Sequence, residues 1–309
     1  MQNSGIGNIV NPVTSLANQA VYDIPMLFII GWRGEPGKKD EPQHRFMGEI
    51  TEDILEVLAI PHAVLTAEMS EEEVKQLFVQ AEQALKEHKQ YAIIVKRDAL
   101  EAESGKSYEN SYTLGREDAI AEIIKSVSTE DIIVSTTGKI SREVYEQCDK
   151  IVGHHKQAFL TVGGMGHAGM IAFGIANQRK DKKVYCLEGD GAVLMHMGEL
   201  AFLAKQGPEN YVHICLNNDA HESVGGMPTG AVGQDFYKVA EKCGYRYAVC
   251  VDNMEDLKEE LKKAKSQKGP VFLEIKVKIG ARADLGRPKE TAVENRDNFM
   301  SYHFHESAE

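Results

Sequence analysis

Val184-Tyr185-Cys186-Leu187-Glu188-Gly189-Asp190-Gly191 is an apolar run that ends in Gly-Asp-Gly, and Tyr211-Val212-His213-Ile214-Cys215-Leu216-Asn217-Asn218 is a second such run that ends in Asn-Asn. Each run has strand length, and the residues between them, about Gly191 to Gln206, read as one helix. A strand, a helix and a second strand in that order make a βαβ unit with parallel strands. An Asp and an Asn at the ends of neighbouring strands can hold one hard cation against a diphosphate. Mg²⁺ accepts one carboxylate, a few neutral oxygens and phosphate oxygens at about 2.0–2.1 Å. Gly189 and Gly191 allow close backbone approach, and the helix start beside Asp190 points free N–H groups at phosphate. Taken singly, Gly-Asp-Gly and Asn-Asn-Asp are ordinary turns. Their linkage across one helix favours the metal and diphosphate reading.

Outward from this unit the pattern repeats. Toward the C-terminus come a Gly225-Gly226 loop, helices at 235–243 and 254–265, and strands at 247–251 and 271–277. Toward the N-terminus lie a helix over 114–127, a strand at 131–135 closing in Thr136-Thr137-Gly138-Lys139, a helix from Ser141, and a strand at 159–162. That last strand runs into Gly163-Gly164-Met165-Gly166-His167-Ala168, followed by a helix with small residues at Gly169, Ala172, Gly174 and Ala176. The first hundred residues predict a helix over 12–22, a strand at 26–30, a long Gly- and Pro-rich loop over 31–45, and a helix over 51–58. They continue with a strand at 63–65, a helix opened by the capping box at Ser70 and a strand at 91–95. The polar stretch 97–111 reads as a linker, which divides the chain into domains 1–105 and 106–309. Alternating strands and helices predict an α/β protein with two doubly wound parallel sheets, the first smaller.

Composition excludes several classes. With 309 residues, 42% hydrophobic and 27% charged, the chain has the composition of an ordinary globular protein. A net charge of -12 argues against a basic nucleic-acid face. No apolar run approaches the roughly 20 residues of a membrane span. Five unevenly spaced cysteines, two of them in apolar runs, predict reduced thiols and a cytoplasmic location. A nucleotide-binding oxidoreductase is disfavoured, because no glycine fingerprint follows the first strand of a βαβ unit.

With Asp190 and Asn218 separated by 218 − 190 = 28 positions, the second half resembles the diphosphate-binding domain of thiamine diphosphate enzymes. Further motifs narrow this: Gln2-Asn3-Ser4-Gly5, Gly31-Trp32-Arg33-Gly34-Glu35-Pro36-Gly37, Asp40-Glu41-Pro42-Gln43-His44, Thr136 to Lys139, Gly163 to Ala168 and Arg282-Ala283-Asp284-Leu285-Gly286-Arg287-Pro288. In that order, over nearly the whole chain, they resemble the phosphonopyruvate decarboxylase family. The resemblance implies thiamine diphosphate and Mg²⁺ as cofactors and a small 2-oxo acid as substrate. The reaction it implies is the decarboxylation of 3-phosphonopyruvate to phosphonoacetaldehyde and CO₂ in phosphonate biosynthesis. It further implies Asp190, Asn218 and the carbonyl of Ala220 as metal ligands, and Gly138, Gly163, Met165, Gly166, His167, Gly189, Gly191 and Ala192 around the cofactor. Met165 would be the bulky side chain that enforces its bent shape. His167, His221 and Glu222 are the candidates for proton transfer or substrate contact, and Asn3, Ser4, Arg33 and Arg282 for substrate binding.

One departure carries its own expectation. The family's first domain has a strand and helices before Gln-Asn-Ser-Gly, with a Glu that activates the cofactor; here that motif starts at residue 2. Glu49, Glu52 and Glu56 lie downstream of it, outside the matching context. The sequence therefore predicts a first domain incomplete at its N-terminus, with an exposed edge, weak activity alone, and completion by a homodimer or homotetramer partner or by a separate chain. The alternatives left open are a sulfopyruvate decarboxylase-type large subunit and a chain that binds cofactor without turnover.

Overall fold

A computed structural model describes residues 1–101 and 108–304. The chain forms two compact units, Met1–Gly105 and Lys106–Glu309. The sequence-based boundary between residues 105 and 106 lies outside the described residues.

In the first unit, strands β1 (Leu27–Gly31), β2 (His62–Leu65) and β3 (Tyr91–Val95) form a parallel sheet in the order β1-β3-β2. Strand periodicity divides the sheet's side chains between two cores. Phe28, Ile30, Ala92 and Ile94 pack with Ile6 of helix α1 (Ile6–Asn11), with Val13 and with Leu55. Tyr91 and Ile93 pack with Leu77, Ala81 and Ala84. Helix α2 (Pro42–Glu49) begins inside the stretch expected to be loop, with extended Glu41 as its N-cap and Pro42 at its first position. Helices α3 (Thr51–Val57) and α4 (Glu71–Lys86) follow, and α4 opens on the complete Ser70–Glu73 capping box. The helix expected over 12–22 is helical only to Leu16, after which the Asn18 side chain accepts the Ala20 N–H and turns the chain.

The opening residues lie against the edge of this sheet. Met1 and Gln2 run beside β1: the amino terminus donates to Ile29 O, Gly31 N donates to Met1 O, and Gln2 pairs in parallel with Gly31. Leu27 and Ile29 of β1 are nevertheless 38% and 46% exposed. The Trp32–Glu49 segment folds tightly on itself, with Gly34 at φ +70° and a Cβ on Gly48 placed 1.8 Å from Gly34 O. Gly48→Ala therefore forces backbone apart, and we expect a loss of about 1–3 kcal/mol, read by denaturant unfolding of this unit.

The second unit is a three-layer α/β/α sandwich. Strands β4 (Ile132–Ser135), β5 (Ala158–Leu160), β6 (Val184–Gly189), β7 (Tyr211–Asn217), β10 (Tyr247–Val251) and β11 (Val271–Lys276) form one parallel sheet in the order β10-β11-β7-β6-β4-β5. The short strands β8 (Ala220–His221) and β9 (Met227–Pro228) form a separate antiparallel hairpin. One face is covered by α5 (Arg116–Ser126), α6 (Lys139–Ile151) and α11 (Met254–Ser266). The other is covered by α7 (Ala168–Gln178), α8 (Asp190–Met195), α9 (Glu199–Gln206), α10 (Phe236–Cys243) and α12 (Ala292–His303). The helix expected over 191–206 is thus two, because His196 Nδ1 turns back to Gly166 O and Gly198 starts a new helix. Helix α12 was not foreseen, although Thr291 and Glu294 form a capping box that marks its start. No helix among the described residues is long and apolar enough to cross a membrane.

Candidate active site

Because β5 and β6 lie on opposite sides of β4, the chain reverses its winding direction at β4, and the crevice beyond the carboxyl ends of β4 and β6 is the switch point where such sheets bind ligands. Thr136 to Lys139 leave β4 there and Gly189 to Gly191 leave β6. Gly138 caps the 13-residue helix α6 at φ 98°, ψ -142°, a conformation open essentially to glycine alone.

Asp190 begins α8 and is 2% exposed; its Oδ2 accepts from Thr229 Oγ1 at 2.5 Å. Burial, only partly offset by Thr229 and reinforced by the charge of Asp219, holds its carboxyl above the usual range. Asn218 lies at the end of β7, where its Oδ1 accepts from Ala220 N (3.1 Å) and its Nδ2 donates to Glu222 Oε2 (3.0 Å). Asp219, at φ 59°, accepts from Tyr112 Oη at 2.9 Å, while its buried Oδ1 has no partner. Two buried carboxylates that repel, one with an orphaned oxygen, beside an amide oxygen and the buried Ala220 backbone form a donor set short of positive charge. A hard divalent cation fits that set.

Around Gly191 the separate motifs converge. A Cβ there would stand 3.2 Å from Met165 Cε and 3.3 Å from His221 Nδ1, so the Gly163–His167 loop and the β8 hairpin both reach the start of α8. Gly166, at φ 85°, leaves no room for a side chain: its Cβ would meet His196 Nδ1 at 2.6 Å and Ala192 O at 3.1 Å. Gly163 N donates to Thr137 Oγ1 at 3.1 Å, which ties the loop to the end of β4. Gly189 meets only ordinary contacts, so its identity is not demanded by the chain's own packing. His167 is exposed, with Nδ1 3.1 Å from Gly164 O and its ring edge-on to His196.

Glu222 is not a free acid. Lys139 Nζ donates to its Oε1 at 2.6 Å and Arg116 to its Oε2 at 2.5 Å, while Arg116 also makes a two-point pair with Glu143 at 2.7 and 2.8 Å. Burial raises the Glu222 carboxyl, but Lys139 and Arg116 outweigh it and hold it below the usual range. Residues missed in the sequence support this site: Asn110 Nδ2 donates to Asn218 O and Val277 O, and Tyr112, Arg116, Glu143 and Thr229 act as described. Asn110 falls in the stretch expected to be a linker, and no local pattern announces it.

The proposed substrate contacts are placed differently. Arg282 is exposed and engaged by Glu117, Glu146 and Asp284. In the first unit, Arg33 is clamped by Asp40, which also accepts from Gly34 N and Glu41 N, and which the guanidinium holds well below the usual carboxylate range. Asn3 is buried, bonded to the Arg33 backbone and to Thr51 Oγ1, and Ser4 is exposed. These contacts make Asn3 a brace for the Arg33 loop.

Comparison with known proteins bears on the family and not on the individual site residues. Residues 137–275 match the family model "Thiamine pyrophosphate enzyme, C-terminal TPP binding domain". The chain is 34% identical over 320 residues to a phosphonopyruvate decarboxylase of Streptomyces viridochromogenes, covering 97% of this chain and 78% of that one. It is 31% identical over 159 residues to sulfopyruvate decarboxylase subunit beta of Methanococcus maripaludis, covering 52% of this chain and 82% of that one. A solved thiamine diphosphate-dependent 4-hydroxybenzoylformate decarboxylase of Rhodococcus jostii superposes with a TM-score of 0.48 at 20% identity, over 82% of this chain and 49% of that chain. The chain thus spans about half the length of that structure.

Proposed function

Because this chain belongs to the phosphonopyruvate decarboxylase family of thiamine diphosphate enzymes, we propose that it decarboxylates 3-phosphonopyruvate to phosphonoacetaldehyde and CO₂ for phosphonate biosynthesis. The observation that carries the reading is the meeting of Met165 and His221 at Gly191, next to buried Asp190 at the end of β6, with buried Asn218 following the neighbouring strand β7. Thiamine diphosphate, when bound, supplies the electron sink for the charge left as CO₂ departs.

The chain's own residues do the rest. Asp190, the Asn218 side chain and the Ala220 carbonyl would hold Mg²⁺, and glycines 138, 189 and 191 would let the backbone approach a diphosphate. Met165, unbranched and polarizable, would support the cofactor from the Gly163–Gly166 loop, with Gly163 and Ala192 bordering it. His221 is best placed to carry a proton, since its Nδ1 lies against the Gly191 position at the start of α8. Glu222, ionised and clamped, orients Asn218 through its amide. His167 lies at the open side, where a substrate enters. Arg33 and Arg282 serve the phosphonate only if they leave their present carboxylate partners.

A second reading, sulfopyruvate decarboxylation, is favoured by the match of half this chain to a beta subunit. The exposed Leu27 and Ile29 on β1 support completion of the first unit by further polypeptide, from a second copy in a homodimer or homotetramer or from a separate chain. Five unpaired thiols support the cytoplasm. The test is a coupled aldehyde assay with Mg²⁺ and thiamine diphosphate. We expect turnover of 3-phosphonopyruvate with kcat/KM at least about tenfold above that for sulfopyruvate. The reverse ratio overturns the first reading, and tight cofactor binding without turnover of either substrate supports a binding-only chain.

A further inference from the structure

Beneath the diphosphate site, the α7–α10 side of the sheet buries a second cluster that the proposed reaction does not use. Cys186 of β6 and His213 of β7 are register partners, and Glu188, two residues on, shares the face of Cys186. All three are 0% exposed, and their ligand atoms lie within 4.8 Å of one another. His213 Nε2 stands 3.0 Å from Glu188 Oε2, and His213 Nδ1 is 3.2 Å from Tyr245 Oη. His213 thus joins Tyr245 and Glu188 through its two ring nitrogens, and the tautomer with Nδ1–H on Tyr245 leaves the Nε2 lone pair free for a cation shared with Glu188. An outer hydrogen bond that fixes the imidazole tautomer is also what a metal-bound histidine has.

Two further facts point to a missing ligand. Glu188 Oε1 is buried with no hydrogen-bond partner, and so is Oε2 of Glu199 at the start of α9. An orphaned buried carboxylate oxygen is costly, and an ion bound between such groups removes the cost. Glu199 also lines an open cleft of about 530 Å³ with Gly166, His167, Met170 and Met195 to Gly198, which gives an ion a way in.

We propose that Cys186, Glu188 and His213 form a buried site for a zinc-class divalent ion. Sulfur, nitrogen and carboxylate donors in a closed core suit Zn²⁺ and not Mg²⁺. The ion would staple β6 to β7 just below the motifs that hold the diphosphate.

Elemental analysis tests this on the full chain, produced with zinc and dialysed against Mg²⁺ and thiamine diphosphate. We expect about one zinc per chain, and a thiolate-to-metal charge-transfer band when cobalt replaces zinc during growth. Cys186→Ser should remove the band and cut retained zinc at least tenfold in a chain that circular dichroism shows folded, and Glu188→Gln is the second variant should the first not fold. Asp190→Ala should keep the zinc, which separates this site from the Mg²⁺ site. A folded wild-type chain with under about a tenth of an equivalent of zinc and no cobalt band overturns the proposal and leaves a metal-free Glu188–His213 hydrogen bond. Full zinc occupancy in both variants overturns it equally.

Discussion

Asp190→Ala is expected to lower the Mg²⁺-dependent affinity for thiamine diphosphate by on the order of 10²–10³-fold, and decarboxylation with it, while the chain stays folded. The magnitude follows from the donor set. In the proposed ligand set Asp190 is the carboxylate, the Asn218 amide and the Ala220 carbonyl are neutral, and Asp219 stands beside them, and loss even of an outer-shell partner typically costs 10–100-fold. The fold should survive, since among the described residues the one side chain that bonds the carboxylate is Thr229, and burial already makes its charged form unfavourable. The raised pKa fixes the pH dependence. Cation binding needs the ionised carboxylate, so the metal-free chain must release a proton, and affinity should grow as pH rises from the ordinary carboxylate range through the raised value. Titration calorimetry in two buffers of different ionisation enthalpy reads both the affinity and the proton. An unchanged affinity in Asp190→Ala would remove Asp190 from the metal site.

How much of this was legible in the sequence depended on whether a residue's partners lie nearby in the chain. The βαβ unit was readable because Val184–Gly189 and Tyr211–Asn217 are predominantly apolar runs of strand length, and the parallel sheet that buries them follows from that. Ser70–Glu73 could be read as a cap because both partners lie within one turn. Thr291–Glu294 offered the same signal and was overlooked. The break between α8 and α9 was not legible, because its cause is the bond from His196 to Gly166, thirty positions away. Asn110 and Tyr112 were hidden in the same way: their partners Asn218 and Asp219 lie more than a hundred residues on. The resemblance named Glu222 but not what surrounds it, and the surroundings change its role from free acid to clamped carboxylate.

Arg116 illustrates that limit most sharply, and Arg116→Met should have the larger structural effect of the two site variants. Its guanidinium, 5% exposed, joins Glu143 on α6 to Glu222 on the turn after β8, partners 27 and 106 positions away. Methionine keeps much of the volume but strands two carboxylates, one fully buried and one still held by Lys139. Removing one partner of a buried ion pair costs about 3–5 kcal/mol, because the charge left behind is uncompensated. The sign with pH follows. Wild-type Glu222 has a lowered folded pKa, so its contribution is present above the ordinary carboxylate range and is lost as pH falls through the lowered value. In Arg116→Met only Lys139 still lowers Glu222, so that carboxyl rises, and the Glu143 carboxyl, already raised by burial, rises further without its guanidinium partner. The deficit should therefore be largest near neutrality and shrink as pH falls and the carboxylates take up protons. Thermal melts of both chains across that range read the difference, and Glu143→Gln in the Arg116→Met background should recover part of it. A deficit independent of pH would mean that Arg116 acts by packing and not by charge, and Glu222 would then owe its ionisation to Lys139 alone.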